Sequence, residues 1–117
     1  MHTDFKIDNS QVRELLETIV PDIVDLINPL KIILFGSAAR NDGGTFNDID
    51  ILIVVNEGVH RRQTAQLLYQ RIRTGLIPVD FVVATQTDLD LYRSVKGYVY
   101  FKALREGVIL YETQAQG

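Results

Sequence analysis

The sequence predicts an α/β fold: a small mixed sheet with helices packed on one face. Three observations carry this. Short apolar runs rich in β-branched residues stand at 31–35, 49–55 and 79–83, each too short for a helix and suited to a strand. Segments with apolar residues at helical spacing lie before, between and after them. Gly, Pro and Asn mark most of the joins. The order helix, strand, strand, helix, strand, helices belongs to a layered α/β domain. With 117 residues, 46% of them hydrophobic, the chain fits one domain, residues 1–117, able to bury its own core.

The elements follow in order. Asp8 or Ser10 can cap a first helix, in which Val12, Leu15, Leu16, Ile19, Ile23 and Ile27 repeat near 3.6 residues. Pro21 predicts a kink or a restart within it, and Asn28-Pro29 its end. Lys31 to Phe35 is a buried strand, broken by Gly36-Ser37. Asn41-Asp42-Gly43-Gly44 is a loop. Ile49 to Val55 is a second strand, apolar on both faces except at Asp48 and Asp50, where it starts. Asn56-Glu57-Gly58 turns the chain into a helix over Val59 to Arg73, with Leu67, Leu68 and Ile72 toward the core. Pro78 leads into a third strand, Val79 to Val83. Thr87 and Asp90 have capping-box spacing for a helix ending near Val95. Tyr98 to Leu104 is a short helix stopped by Gly107, and Val108 to Tyr111 a last edge strand.

Composition narrows the chemistry. There is no cysteine, which excludes disulfides and thiolate metal sites, and His2 and His60 lack metal-ligand spacing. A metal here is held by oxygen, which favours magnesium or manganese over zinc. A net charge of -3 gives no general affinity for nucleic acid, and no direct binding of it is expected. No apolar run reaches the roughly 20 residues of a membrane helix. The N-terminus lacks the basic and apolar regions of a signal peptide, so the expected location is the cytoplasm.

The informative stretch runs from Leu34 to Val55. In a strand, residues i and i+2 share a face, so Asp48 and Asp50 project together, roughly 6–7 Å apart along the chain. Two like charges that close repel, and a divalent cation between them reverses the problem. Asp80 also sits near the start of an apolar strand, where a charge needs a partner. If its strand pairs with the second, Asp48, Asp50 and Asp80 form a cluster able to hold two divalent ions for in-line displacement at phosphorus.

Upstream, Gly36 lets a ligand approach the backbone, Ser37 offers a hydroxyl and an N–H to phosphate, and Arg40 can balance triphosphate charge. Alone, an Asp-x-Asp is more often a turn or cap, a Gly-Ser pair just a turn, and one arginine a surface charge. The full pattern is rarer. Gly-Ser, ten residues, then Asp-x-Asp arises by chance roughly once in a thousand chains of this length.

On these residues the chain resembles the minimal nucleotidyltransferases of the DNA polymerase β superfamily, the MNT antitoxins found beside HEPN toxins. The likeness covers about Lys31 to Tyr111 and includes the Glu-Gly-Val-Ile-Leu-Tyr ending at 106–111. It departs at Ala38 and Asn41, where the family often has arginine and glycine, and at Asn47, where serine is common. The resemblance implies a polymerase-β-type fold, with Ser37 on the triphosphate of ATP, Asp48 and Asp50 on two Mg2+ ions, and Asp80 completing the site. It also implies a HEPN-type toxin as partner in a hetero-oligomer, neutralised when AMP is transferred to one of its tyrosines. From the residues alone, only nucleotidyl transfer to something presented in trans follows, since no segment here suggests an acceptor-holding domain. A non-catalytic antitoxin that masks its toxin, or another acceptor, stays open. The arginines at 61, 62, 71 and 73 suit a solvated helix face more often than an acidic partner or RNA. Tyr98, Tyr100 and Phe101 suit the core or an interface.

Overall fold

A computed structural model of the chain describes residues 10–36, 39, 49–92, 95 and 99–113. Its described strands are β1 (Lys31–Phe35), β2 (Ile49–Val55), β3 (Val79–Thr85) and β4 (Val108–Glu112). Its described helices are α1 (Ser10–Ile27), α2 (Arg61–Arg71), α3 (Gln86–Tyr92) and α4 (Val99–Glu106). The four strands form one mixed sheet in the order β3-β2-β1-β4. β1 runs antiparallel to β2 and β4, and β2 runs parallel to β3. This is the expected α/β class, and β4 is an edge as expected.

The helices divide between the two faces of the sheet instead of sharing one. Val12, Leu16, Ile19, Val20 and Ile23 of α1, with Leu68 of α2 and the following Ile72, pack on Ile32, Leu34, Ile49, Ile51, Ile53, Phe81 and Val83. Leu89 of α3 and Ala103 of α4 cover Ile33, Phe35, Leu52, Val54 and Ala84 on the other side. The physical reason lies in β2, where Ile51 to Val55 are all buried. A strand apolar on both faces needs cover on both. Because side chains alternate along a strand, the even positions of β2 and β3 belong to the α3–α4 face. Asp50 and Asp80 are both even positions.

α1 runs unbroken through Pro21. Proline removes one backbone donor, but it lies on the exposed face, and the buried side chains on both sides of it hold the helix to the sheet. The helix stops where expected. Asn28 takes a left-handed φ of 51° and its N–H bonds to the Val24 carbonyl at 2.9 Å, an αL cap followed by proline. α2 starts later than Val59 because His60 is extended and caps it, its Nδ1 accepting from the Gln63 N–H at 3.2 Å. The expected Asn41–Gly44 loop, Tyr98 and the start of the second strand at Asp48 lie outside the described residues.

The capping box of α3 is Thr85-x-x-Asp88, two residues before the expected Thr87 and Asp90. The Thr85 N–H donates to Asp88 Oδ2 at 2.9 Å, and the Asp88 N–H donates to Thr85 Oγ1 at 3.2 Å. Arg61 reaches across from α2 to the same carboxylate at 2.9 Å. It is one of the four arginines in question, and its role here is structural. Tyr100 packs on the α3–α4 side of the core, while Phe101 lies 5.7 Å beneath the Arg105 guanidinium.

Burial, the largest single influence, pushes the Asp88 carboxyl up. Hydrogen bonds from Thr85 and the Arg61 charge together outweigh it and hold the group below its usual 3.8. A carboxylate with a depressed folded-state pKa stabilises the fold above its unfolded pKa, and that contribution is lost as pH falls through the folded value. Asp88→Ala is expected to cost about 1–2 kcal/mol at pH 7, the worth of a lost cap and one partly buried ion pair. Its deficit should shrink below pH 3.8, which urea midpoints of both proteins across pH 2.5–7 would read directly. A deficit independent of pH would contradict this account.

β3 is the other edge of the sheet. Two of its N–H groups are taken by side chains: Phe81 donates to the Tyr69 hydroxyl at 2.9 Å, and Thr85 donates to Asp88 as above. The Tyr69 ring also meets Phe81 edge-on, with centroids 5.1 Å apart.

Candidate active site

Register brings the two described carboxylates together. Asp50 pairs with Asp80 across the parallel β2–β3 ladder, one step in from the Ile49–Val79 pair at its mouth. Neighbouring strands lie about 5 Å apart, and both residues belong to the same face. Asp80 is exposed and Asp50 half-buried. A third strand closes the group, since Phe35 at the end of β1 pairs with Asp50 on its other side.

Gly36 follows immediately, with φ +79°, a conformation suited to glycine. A Cβ on it would stand 2.5 Å from Asp50 Oδ2. The space that glycine leaves is therefore filled by the Asp50 carboxylate. The sequence suggested that a ligand approaches the backbone at this position; in the structure the Asp50 carboxylate lies against it. The Gly36 carbonyl then accepts from the Ala39 N–H at 3.1 Å, turning the chain away from the strand.

Three of the six expected site residues, Gly36, Asp50 and Asp80, thus meet at one end of the sheet. Ser37, Arg40 and Asp48 lie outside the described residues, as does any helix starting at Ser37 or Ala38. Among the described residues no group of three acids or histidines forms a metal cluster. The described pair supplies hard oxygen donors with no sulfur or imidazole beside them, a donor chemistry that suits Mg2+. An open cleft of about 750 Å³ lies elsewhere, between His60, Arg61 and Arg62 at the start of α2 and Phe81, Val82 and Val83 of β3. Gly36, Asp50 and Asp80 do not line it. Sequence reasoning missed the Asp88–Arg61 pair, whose partners are 27 residues apart and carry no local signal.

The paired acids stand at the mouth of a mixed sheet, beside a glycine turn. The chain belongs to the nucleotidyltransferase domain family, which matches residues 10–110. Its fold is shared with a protein from Sulfolobus solfataricus described as a nucleotidyltransferase. That protein is 24% identical with a TM-score of 0.59, and the match covers 88% of this chain and 84% of that one. A mutant of the MntA–HpeT toxin–antitoxin complex is similar at 23% identity and a TM-score of 0.52, over 84% of this chain and 73% of that one. No curated protein matches the chain. No described helix is long and apolar enough to cross a membrane.

Proposed function

We propose that this chain is an antitoxin that transfers AMP from ATP to a tyrosine hydroxyl of a HEPN-type toxin and so neutralises it in the cytoplasm. The observation that carries the reading is the registered Asp50–Asp80 pair beside Gly36. The family makes the chain a transferase, and the motif resemblance to MNT antitoxins supports the choice of acceptor. The likeness to MntA–HpeT extends to the fold.

In this reading the tyrosine oxygen attacks the α-phosphorus of ATP. An oxygen–phosphorus bond forms, the bond to the β-phosphate bridge breaks, and pyrophosphate leaves. Asp48, Asp50 and Asp80 would hold two Mg2+ ions, which when bound offset triphosphate charge and stabilise in-line displacement. Gly36, Ser37 and Arg40 seat the triphosphate. Gly36 in addition keeps the Asp50 carboxylate in place. Asp80, the more exposed of the two described acids, faces the incoming hydroxyl, orients it and receives its proton. A tyrosine suits this role because its pKa, about 10, lies far below that of an aliphatic alcohol.

The test is the intact mass of any HEPN-type protein encoded beside this gene, after incubation with the chain, ATP and magnesium. One or more added AMP units are expected, and none with Asp80→Ala. Full neutralisation of the toxin with no added mass would replace transfer by masking.

A further inference from the structure

Between α2 and β3 the chain makes a tight turn over 74–78. Gly75 takes φ +66°, and the Ile77 N–H donates to the Thr74 carbonyl at 3.3 Å. The turn separates two neighbouring apolar side chains. Ile77 packs against the core, while Leu76 is 101% exposed, the most exposed of the large apolar residues described. Leu91, next in order, is 65% exposed.

The place of the turn gives that exposure meaning. The Ile49 N–H donates to the Pro78 carbonyl at 2.9 Å, so the turn is tied to β2 one residue before Asp50. Leu76 is four residues from Asp80, and four residues of chain span at most about 14 Å. A protein that presents a hydroxyl to Asp50 and Asp80 must lay its surface around them. An ordinary interface covers about 800 Å² per partner, a disc of roughly 16 Å radius. Leu76 falls inside it.

From this we infer that Leu76 is a docking contact for the protein that brings the acceptor hydroxyl, seated in an apolar depression beside the acceptor residue. The inference rests on the transfer reading above. A protein is favoured over RNA because leucine offers neither charge nor hydrogen bond to a phosphate backbone. Arg73, three residues earlier and exposed, pairs with no acid among the described residues, so an acidic rim around that depression would complement it. Full burial of a leucine strengthens binding by a factor of about 10 to 100.

The experiment compares Leu76→Ser with wild type, using as acceptors any HEPN-type toxin encoded beside this gene and N-acetyltyrosinamide. Leu91→Ser, an exposed leucine on α3 at the far end of β3, is the control. Toxin affinity is read by calorimetry without ATP, and transfer by kinetics. Leu76→Ser is expected to weaken toxin binding and raise the KM for toxin about tenfold or more. Its kcat with toxin and its rate on N-acetyltyrosinamide should stay unchanged, and Leu91→Ser should match wild type throughout. Equal toxin affinity for Leu76→Ser and wild type overturns the inference, as does an equal loss on both acceptors. So does a weakened affinity for a labelled RNA hairpin in place of the toxin. Absence of transfer in wild type with a Leu76-dependent toxin affinity would remove the transfer reading and leave the docking contact standing.

Discussion

Asp80→Asn is expected to reduce AMP transfer by about 10³-fold or more while leaving the melting temperature unchanged. The size follows from the work assigned to it. Charge stabilisation at a metal-assisted phosphoryl centre is worth several kcal/mol, and each 1.4 kcal/mol is tenfold in rate. The unchanged stability follows from its surroundings. Asp80 is exposed and its side chain makes no hydrogen bond or ion pair among the described residues, so asparagine leaves nothing unpaired. Single-turnover transfer and a thermal melt of the metal-free protein check both halves. A variant with wild-type rate would remove Asp80 from the chemistry. A variant that melts well below wild type would show that the acid is part of the fold.

Gly36→Ala should damage the site by another route. Alanine at φ +79° carries a backbone penalty of about 1–2 kcal/mol. Its methyl would also meet the Asp50 carboxylate, which must move aside. A shift of about 1 Å at a reacting centre costs on the order of 10²-fold in rate. The variant is therefore expected to lose both stability and most of its activity. Adding Gly36→Ala to Asp50→Ala should cost less activity than Gly36→Ala costs alone, because the side chain that the methyl displaces is already gone. Transfer rates for the two single variants and the double variant, compared as a cycle, would show it. Independent, multiplying losses would mean that Gly36 acts on the nucleotide and not on Asp50.

Much of this was readable in the chain. The bounds of β2 followed from an unbroken apolar run that begins at an acid. The adjacency of Asp80 to Asp50 was conditional on two strands pairing, and the strands do pair, in the register that aligns the acids. The second helical layer was written in the same run: a strand apolar at successive positions announces cover on both faces, although α3 and α4 themselves contribute few apolar side chains. The shift of the capping box has a plainer cause. Thr85-x-x-Asp88 and Thr87-x-x-Asp90 satisfy the same local pattern, and the choice falls to Arg61, brought in by tertiary packing. Nor could the sequence show what fills the space at Gly36, because that depends on the antiparallel register placing Phe35 opposite Asp50.

The two side-chain caps along β3 also bear on how the molecule keeps to itself. A strand carrying the proposed acid for an outside acceptor benefits from standing at the rim of its sheet, yet a rim strand invites other chains to extend the ladder. Covering the sheet's margin would hide the acid. Here the blocking is done one donor at a time: a phenol plugs the middle of the strand at Phe81 and a carboxylate plugs its end at Thr85. Asp80, at the opposite end, stays exposed, so those two donors are withdrawn from any added strand without covering the acid.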